Sequence, residues 1–336
     1  MDAQNMRLVS YNVEWFAALF DEQDHLILDQ HASGRHGVDR YTQGHALAQV
    51  FQALDADAVM VIEAPNSGKH HSTVKALEGF AAQAGLRARA VVMGFANDTQ
   101  QEIALMYDPD VLQVQHDPQQ GEGAPRFDGV FKIDLDIDAR MDHVRFSKPP
   151  LELVVTTTKG QKLRLIGAHL KSKAPHGARN QDAVIRLSIA NRRKQLAQAV
   201  WLRRRIEQHL QDGQDLIVMG DLNDGPGLDE YERLFGRSSV EIVMGDDMQD
   251  PHACHLLQPR TADQPSTSRF YNATTKRYFR ALLDYVMVSP GLTTRSPTWR
   301  IWHPFEDARC YEDRDLREAL LAASDHFPVS LDIDLT

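Results

Sequence analysis

The stretch Asp215–Gly227 reads DLIVMGDLNDGPG, four apolar residues running straight into a knot of Asp, Asn and Gly. A short apolar run bounded by turn residues predicts a buried strand. The knot admits three explanations: a turn, a calcium loop, or half of an active site. As a calcium loop it has Asp221 at position one, Asn223 at three and Glu232 at twelve. Pro226, however, occupies the position where the sharp turn needs Gly, and a strand precedes it instead of a helix. A turn fits the local residues better, since Asp, Asn, Gly and Pro each favour turns for their own reasons. The decision between turn and active site rests on the remainder of the chain.

The 336 residues are 42% hydrophobic and 25% charged, enough for a substantial core. Two cysteines, Cys254 and Cys310, cannot build a disulfide framework, which points to a reducing compartment. The opening MDAQNMRLVSYNVEW lacks a basic segment followed by an apolar one, so no secretory signal is expected. No segment approaches the ~18–20 apolar residues of a membrane span. The expectation is a soluble, cytoplasmic protein without membrane association, and a monomer is the plain reading. A formal net charge of −10 counts against a wholly basic nucleic-acid surface, but not against a local basic patch.

Outward from the knot, strands and helices alternate. Arg7–Val13 and Asp57–Glu63 read as buried strands, with Leu47, Val50, Phe51 and Leu54 at helical spacing between them. A second helix is predicted over Thr73–Ala84, with Val74, Leu77 and Ala81 on one face. From Arg87 to His169 strand follows strand; Phe131–Ile137 alternates as a half-buried strand should. The longest helix is predicted over Asp182–Leu210, with Ile185, Ile189, Leu196, Val200 and Ile206 as its apolar stripe. Further strands are DLIVMG, Leu282–Ser289 and the closing FPVSLDIDL. Three stretches read as irregular loops, 14–42, 245–278 and 299–324. One α/β domain over residues 1–336 accounts for this pattern.

Polar residues recur at strand ends: Asn12 and Glu14 after the first strand, Glu63 after the second, and His169 at the end of LIGAHL. Asp284 lies inside a strand, where a charge is costly unless paired, and Asp325–His326 precedes the last strand. Strand ends are where α/β folds build sites, because the sheet holds the side chains rigid.

The motifs SYNVEW, VMVIEA, GAHLKSK, VMGDLND, LLDYVMVS and SDHFPV occur in the order of the endonuclease/exonuclease/phosphatase superfamily, the group related to exonuclease III and DNase I. Each motif is weak singly, but the ordered set spans nearly the whole chain and resembles that superfamily. The resemblance implies a four-layer α/β/β/α sandwich with two central, mostly antiparallel or mixed sheets. It implies a metal site at Asn12, Glu63 and Asp325, with Glu14 as an additional acid. It further implies that Asp221 and Asn223 face the attacked phosphate, that His169 contacts it, and that Asp284 orients His326. Mg²⁺ or Mn²⁺ is the expected cofactor, since a hard cation prefers the oxygens of Asn, Asp and Glu. An imidazole oriented by a carboxylate suits proton transfer near neutral pH, although Asp221 could itself position or deprotonate the water.

Beyond His169 lie Lys171, Lys173, His176 and Arg179, and the following helix carries Arg186, Arg192, Arg193 and Lys194. These form either a solvated face or a polyanion rail, and Lys171 and Lys173 are the preferred substrate contacts. Asp250–His255 (DPHACH) lacks a spaced partner for zinc and reads as surface loop. Trp15–Phe16 reads as packing. The expected activity is metal-dependent hydrolysis of phosphate esters, with DNA or RNA phosphodiesters leading. A small phosphorylated metabolite or lipid head group is the alternative, and a binding protein that has lost catalysis ranks below both because every motif position is filled. The inositol-polyphosphate branch usually shows Trp-Cys-Asp-Arg where this chain has ALLDYV, which lowers the phosphoinositide reading.

Overall fold

The computed structural model describes residues 5–97, 99, 101–135, 141–175, 177–226, 236–257, 264–272 and 275–335. Six strands form one sheet in the order β14 (Thr298–Ile301), β15 (Val329–Ile333), β1 (Met6–Asn12), β2 (Ala58–Ala64), β4 (Glu102–Tyr107) and β3 (Ala90–Met93). Five form the second in the order β13 (Asp284–Val288), β10 (Leu216–Asp221), β9 (Lys162–His169), β8 (Leu151–Thr157) and β5 (Leu112–His116). Two hairpins stand apart, β6 (Phe131–Asp134) with β7 (Met141–Val144), and β11 (Ser268–Asn272) with β12 (Arg277–Ala281). The helices are α1 (Arg40–Leu54), α2 (Thr73–Ala84), α3 (Gln181–Gln211), α4 (Ser239–Met244), α5 (Pro251–Leu257), α6 (Pro290–Thr293), α7 (Ala308–Glu312) and α8 (Arg314–Ala323).

Successive residues of the central strands feed different cores, which is why these strands are almost continuously apolar. Leu8, Met60, Leu165 and Ile217 point between the two sheets. Their neighbours Val9 and Val59 pack outward beside residues of α1, α2 and α8, while Ile166 and Val218 pack outward beside residues of α3 and α4. Three apolar layers therefore separate four layers of structure: helices, sheet, sheet, helices. Gly167 sets the close approach of the sheets, since a Cβ there would lie 2.4 Å from the Met60 sulfur.

The parallel pairs β1–β2 and β9–β10 are each joined by a crossover helix, so all four strands end at the same edge of the sandwich. Those ends carry Asn12, Glu63, His169 and Asp221. The antiparallel neighbours β13 and β15 begin at that edge, and there lie Asp284 and the pair Asp325–His326. In register, Asp221 lies opposite both His169 and Asp284.

Several expectations need correction. The buried face of α3 is not the predicted stripe: Ile206 is buried, but Ile185 is exposed and Ile189, Leu196 and Val200 are half-buried. Gln195, Gln198, Arg205 and His209 are buried with Trp201 and Leu202 instead. The physical reason is that α3 covers irregular backbone whose polar groups need partners. Gln195 Nε2 donates to the carbonyls of Lys171 and Asn223 at 2.8 and 3.0 Å, and Gln198 accepts from the Lys171 amide. Arg205 donates to the Gln119 and Ala124 carbonyls. The irregular stretches also hold regular elements: α1 begins at Arg40, 245–278 contains α5 and β11, and 299–324 contains α7 and α8. In α8, Leu316, Ala319, Leu320 and Ala323 recur at helical spacing behind an Asp313 N-cap, a signal present in the sequence. Asp250 is buried against the amides of His252, Ala253 and Val286, a structural use of the DPHACH stretch. The predicted strand Phe131–Ile137 is seen as β6 to Asp134, and its residues 136–137 lie outside the described residues.

Gly220 precedes Asp221 with φ +136°, and a Cβ there would stand 2.0 Å from the Ala168 carbonyl oxygen. Gly220→Ala should destabilise by about 2–4 kcal/mol, combining backbone strain with overpacking. Gly79, exposed within α2 and with open space around it, is the control. Gly79→Ala should stabilise by about 0.5–1 kcal/mol. Urea unfolding of the two variants checks both signs.

Candidate active site

The strand-end residues converge on one cleft of about 1150 Å³. Asn12, Glu63, His169, Asp221, Asn223, Asp325 and His326 line it, while Asp284 stands behind His326. Asn12 Nδ2 donates to Asp221 Oδ2 at 3.0 Å, linking the ends of β1 and β10. The Asn223 amide donates to Asp221 Oδ1 at 2.7 Å, and its Nδ2 donates to Asp221 Oδ2 at 3.2 Å and to the Leu170 carbonyl at 3.1 Å. Asn223 adopts φ 51°, which Asn tolerates better than most residues and which turns its side chain back onto Asp221. The knot is thus a turn whose side chains also build the cleft.

His326 Nδ1 lies 2.7 Å from Asp284 Oδ2, leaving Nε2 as the other nitrogen, 4.0 Å from Asp325 Oδ1. Asp284 Oδ2 also accepts from the Thr267 hydroxyl at 2.7 Å. Ser324 ties this end of the chain to β1: its hydroxyl donates to the Asn12 carbonyl and accepts from the amides of Glu14 and His326. His169 Nε2 lies 3.6 Å from Asp221 and 3.9 Å from Glu63.

The electrostatics suit a cation. Burial, and then the neighbouring Asp284, pushes the Asp221 carboxyl up to about 7. Burial likewise pushes Asp325 up to about 7 against the pull of His326, and raises Glu63 above the usual carboxylate range. Burial alone would lower His326, but Asp284 outweighs it and holds the imidazole well above its ordinary value. Burial and then Lys148 hold His169 well below it. Among the described residues, the buried oxygens Asn12 Oδ1 and Asp325 Oδ1 have no hydrogen-bond partner. Asp221, Asp284 and His326 also bring ligand atoms within 4.8 Å of one another. Two members of that trio are already bonded to each other, so the unpartnered oxygens of Asn12 and Asp325, with Glu63, match a hard divalent cation better.

Lys148 was missed by the sequence reading. It sits in the connection before β8, with Nζ 3.1 Å from His169 Nδ1 and 3.9 Å from Glu63 Oε1. Nothing in SKPP announces it except a lone cation between apolar runs. Gln101 was also missed; its Nε2 donates to Glu63 Oε2 at 2.6 Å. Lys171 and Lys173 both line the cleft, but Lys173 is ion-paired with the buried Asp224, so its charge is spent inside the protein. Arg193 pairs with Asp142 and Arg192 is buried, while Arg179 and Arg186 are exposed. His176 lies outside the described residues. Glu14 is held by the Trp15 indole and Arg35. Phe16 is buried packing as expected, whereas Trp15 is 50% exposed and lines the cleft.

The profile of the Endonuclease/Exonuclease/phosphatase family matches residues 9–326. The chain belongs to this family. Its members are divalent-metal-dependent phosphoesterases. Among solved structures, TDP2 from D. rerio complexed with single strand DNA product is 16% identical, with 97% of this chain and 98% of that one covered and a TM-score of 0.50. Truncated TDP2 from Caenorhabditis elegans is 14% identical, with 98% of both chains covered and a TM-score of 0.52. A family member from Bacteroides thetaiotaomicron is 14% identical, covering 98% of this chain and 94% of that one, with a TM-score of 0.51. These likenesses are of fold. A search of curated proteins finds no match. Among the described residues no helix is long and apolar enough to cross a membrane.

Cation binding should be visible without turnover. Mg²⁺ binding to the folded state raises the melting temperature, by an amount corresponding to about 2.7 kcal/mol at a hundredfold excess over Kd. Glu63→Gln keeps the shape and removes one anionic oxygen. Its Mg²⁺ titration, read by thermal shift, should move at least ~10-fold to higher concentration. An unmoved titration removes Glu63 from the ligand set.

Proposed function

We propose that this family member is a Mg²⁺- or Mn²⁺-dependent phosphodiesterase acting on DNA or RNA strands. The observation that carries the polymer reading is the hairpin β11–β12 beside the phosphate-ready groups. It interleaves cations and aromatics: Arg269, Phe270 and Tyr271 on one strand, Arg277, Tyr278, Phe279 and Arg280 on the other. Phe270, Tyr271 and Phe279 line the cleft, and Phe279 is 61% exposed. The Arg269 guanidinium stacks 3.3 Å over Tyr278. Exposed aromatics next to cations are what successive bases stack on, and a small sugar phosphate would leave them unused. The hairpin is tied to the catalytic end of the chain: the Arg269 amide donates to the Asp325 carbonyl at 2.7 Å, and the Phe270 ring meets His326 edge-on at 5.3 Å.

In this reading Asn12, Glu63 and Asp325 hold the metal, which when bound supplies Lewis-acid polarisation of a phosphoryl oxygen. Asp221, fixed by Asn12 and Asn223, orients the attacking water. His326, with Asp284 on Nδ1, presents Nε2 to the phosphate. His169 and Lys148 offer N–H donors to the phosphoryl oxygens as negative charge develops there, while Asn223, whose side-chain N–H groups are taken by Asp221 and the Leu170 carbonyl, acts by fixing Asp221.

If these residues act as a unit, their losses are not additive. His326→Ala and Asn223→Ala should each lower kcat by ~10²-fold or more, with the double variant losing far less than the product. Asp284→Asn should mimic His326→Ala in part. Near-normal turnover of His326→Ala on an oligonucleotide would sink the assignment.

The hairpin is tested by comparing substrates. Phe279→Ala should lower kcat/KM on a single-stranded oligonucleotide, relative to bis(p-nitrophenyl) phosphate, by ~5–100-fold, since stacking contributes about 1–3 kcal/mol per base. An unchanged ratio, or wild-type turnover of small phosphomonoesters alone, would favour a metabolite phosphatase.

A further inference from the structure

The cleft wall formed by the connections flanking β8 and β9 carries positive charge that the protein itself leaves unneutralised. Lys171 lines the cleft, and among the described residues its ammonium has no hydrogen-bonding or ionic partner. Lys194, in the fourth turn of α3, donates to the Ser147 hydroxyl at 3.0 Å and among the described residues to no other group, and Ser147 lines the cleft. Lys148 follows Ser147 directly and reaches His169 and Glu63. The charge of Lys171 is felt at Lys148, His169 and Lys194, which places these groups within one field.

Several other partly buried cations of this half of the molecule are ion-paired. Lys173 is paired with Asp224, Arg193 with Asp142, Arg203 with Asp247 and Arg164 with Asp117. At this wall like charges face one another, and Glu63, already committed to the cation site, is the acid nearest Lys148. Half-buried ammonium groups repel through a medium less screening than bulk water, and an anion between them removes that repulsion. Lys148 adjoins the reacting phosphate, through His169. Lys171 lines the same cleft as Ser147, whose hydroxyl holds Lys194.

We propose that Lys171, Lys194 and Ser147 form a second anion subsite, which takes the phosphate next to the one being hydrolysed. It rests on the phosphodiesterase reading and adds a preference: substrates with two neighbouring phosphates are favoured over substrates with one. The subsite holds the substrate by charge, so its contribution falls on KM and on the salt dependence more than on kcat.

The experiment compares a thymidine dinucleotide bearing a 5′-terminal phosphate with the same dinucleotide lacking it. The wild-type enzyme should prefer the phosphorylated form by ~10-fold or more in kcat/KM. In Lys171→Ala/Lys194→Ala that ratio should fall toward unity, and in Lys171→Arg/Lys194→Arg it should be retained. A wild-type ratio near unity, or a ratio unmoved in the double-Ala variant, overturns the subsite while leaving phosphodiesterase activity in place. No turnover of either dinucleotide would instead overturn the phosphodiesterase reading. Calorimetry with thymidine 3′,5′-bisphosphate and thymidine 5′-monophosphate then decides the subsite on its own. Tighter binding of the bisphosphate, lost in the double-Ala variant, supports it; equal binding of the two overturns it.

Discussion

A buried hydrogen bond from Asn12 to Asp221 joins the last residue of β1 in one sheet to the last residue of β10 in the other. The cleft cannot be assembled by either sheet alone. Asn12 and Glu63 come from the first sheet; His169, Asp221 and Asp284 come from the second. Their spacing is set by the apolar layer between the sheets, where Met60 packs against Gly167. Because interiors are close-packed, a methylene added in that layer would be transmitted to the cleft as displacement. Ser324 adds a second tie, fastening Asp325–His326 to the end of β1 through backbone groups.

The same convergence works against the fold. Glu63, Asp221 and Asp325 crowd together where burial disfavours each charge. His326 and Lys148 offset part of this, and the Thr267 hydroxyl with the Asn12 and Asn223 amides offset more. What is left is an excess of oxygen ligands over protons and donors, including the orphaned oxygens of Asn12 and Asp325. A cation bound there would relieve that excess, and metal affinity would then be coupled to stability at this edge of the sandwich.

Much of this was legible in the sequence. Strands buried on both faces read as apolar runs, and polar residues at their ends marked the cleft, because the crossover helices bring parallel strand ends to one edge. The motif order supplied the pairing of Asp284 with His326, which no local pattern encodes. What escaped did so for physical reasons. Lys148 acquires its place only when the connection before β8 folds over His169. The polar face of α3 looked like a solvent face because glutamines carry no sign of the carbonyls they will meet. The amphipathic spacing of α8 is short and sits among charged residues, so it stands out only once Asp313 is seen to cap it.

Lys173 shows most clearly why charge in a sequence is not charge at a site. It stands two residues from Lys171 in the same motif, yet its ammonium pairs with Asp224, three residues after Asp221 in the knot. Asp224 is buried, and it also accepts from the Ser239 amide, while its carbonyl accepts from the Tyr285 hydroxyl. Removing Lys173 would take a close cation away from a buried carboxylate, and such losses are costly. The knot therefore divides its acids by direction. Asp221 turns into the cleft and Asp224 turns into the protein, where it anchors the segment that carries Lys171. A turn and a site are not alternatives at Asp221–Asp224: the geometry that reverses the chain is the geometry that separates a carboxylate for chemistry from a carboxylate for support.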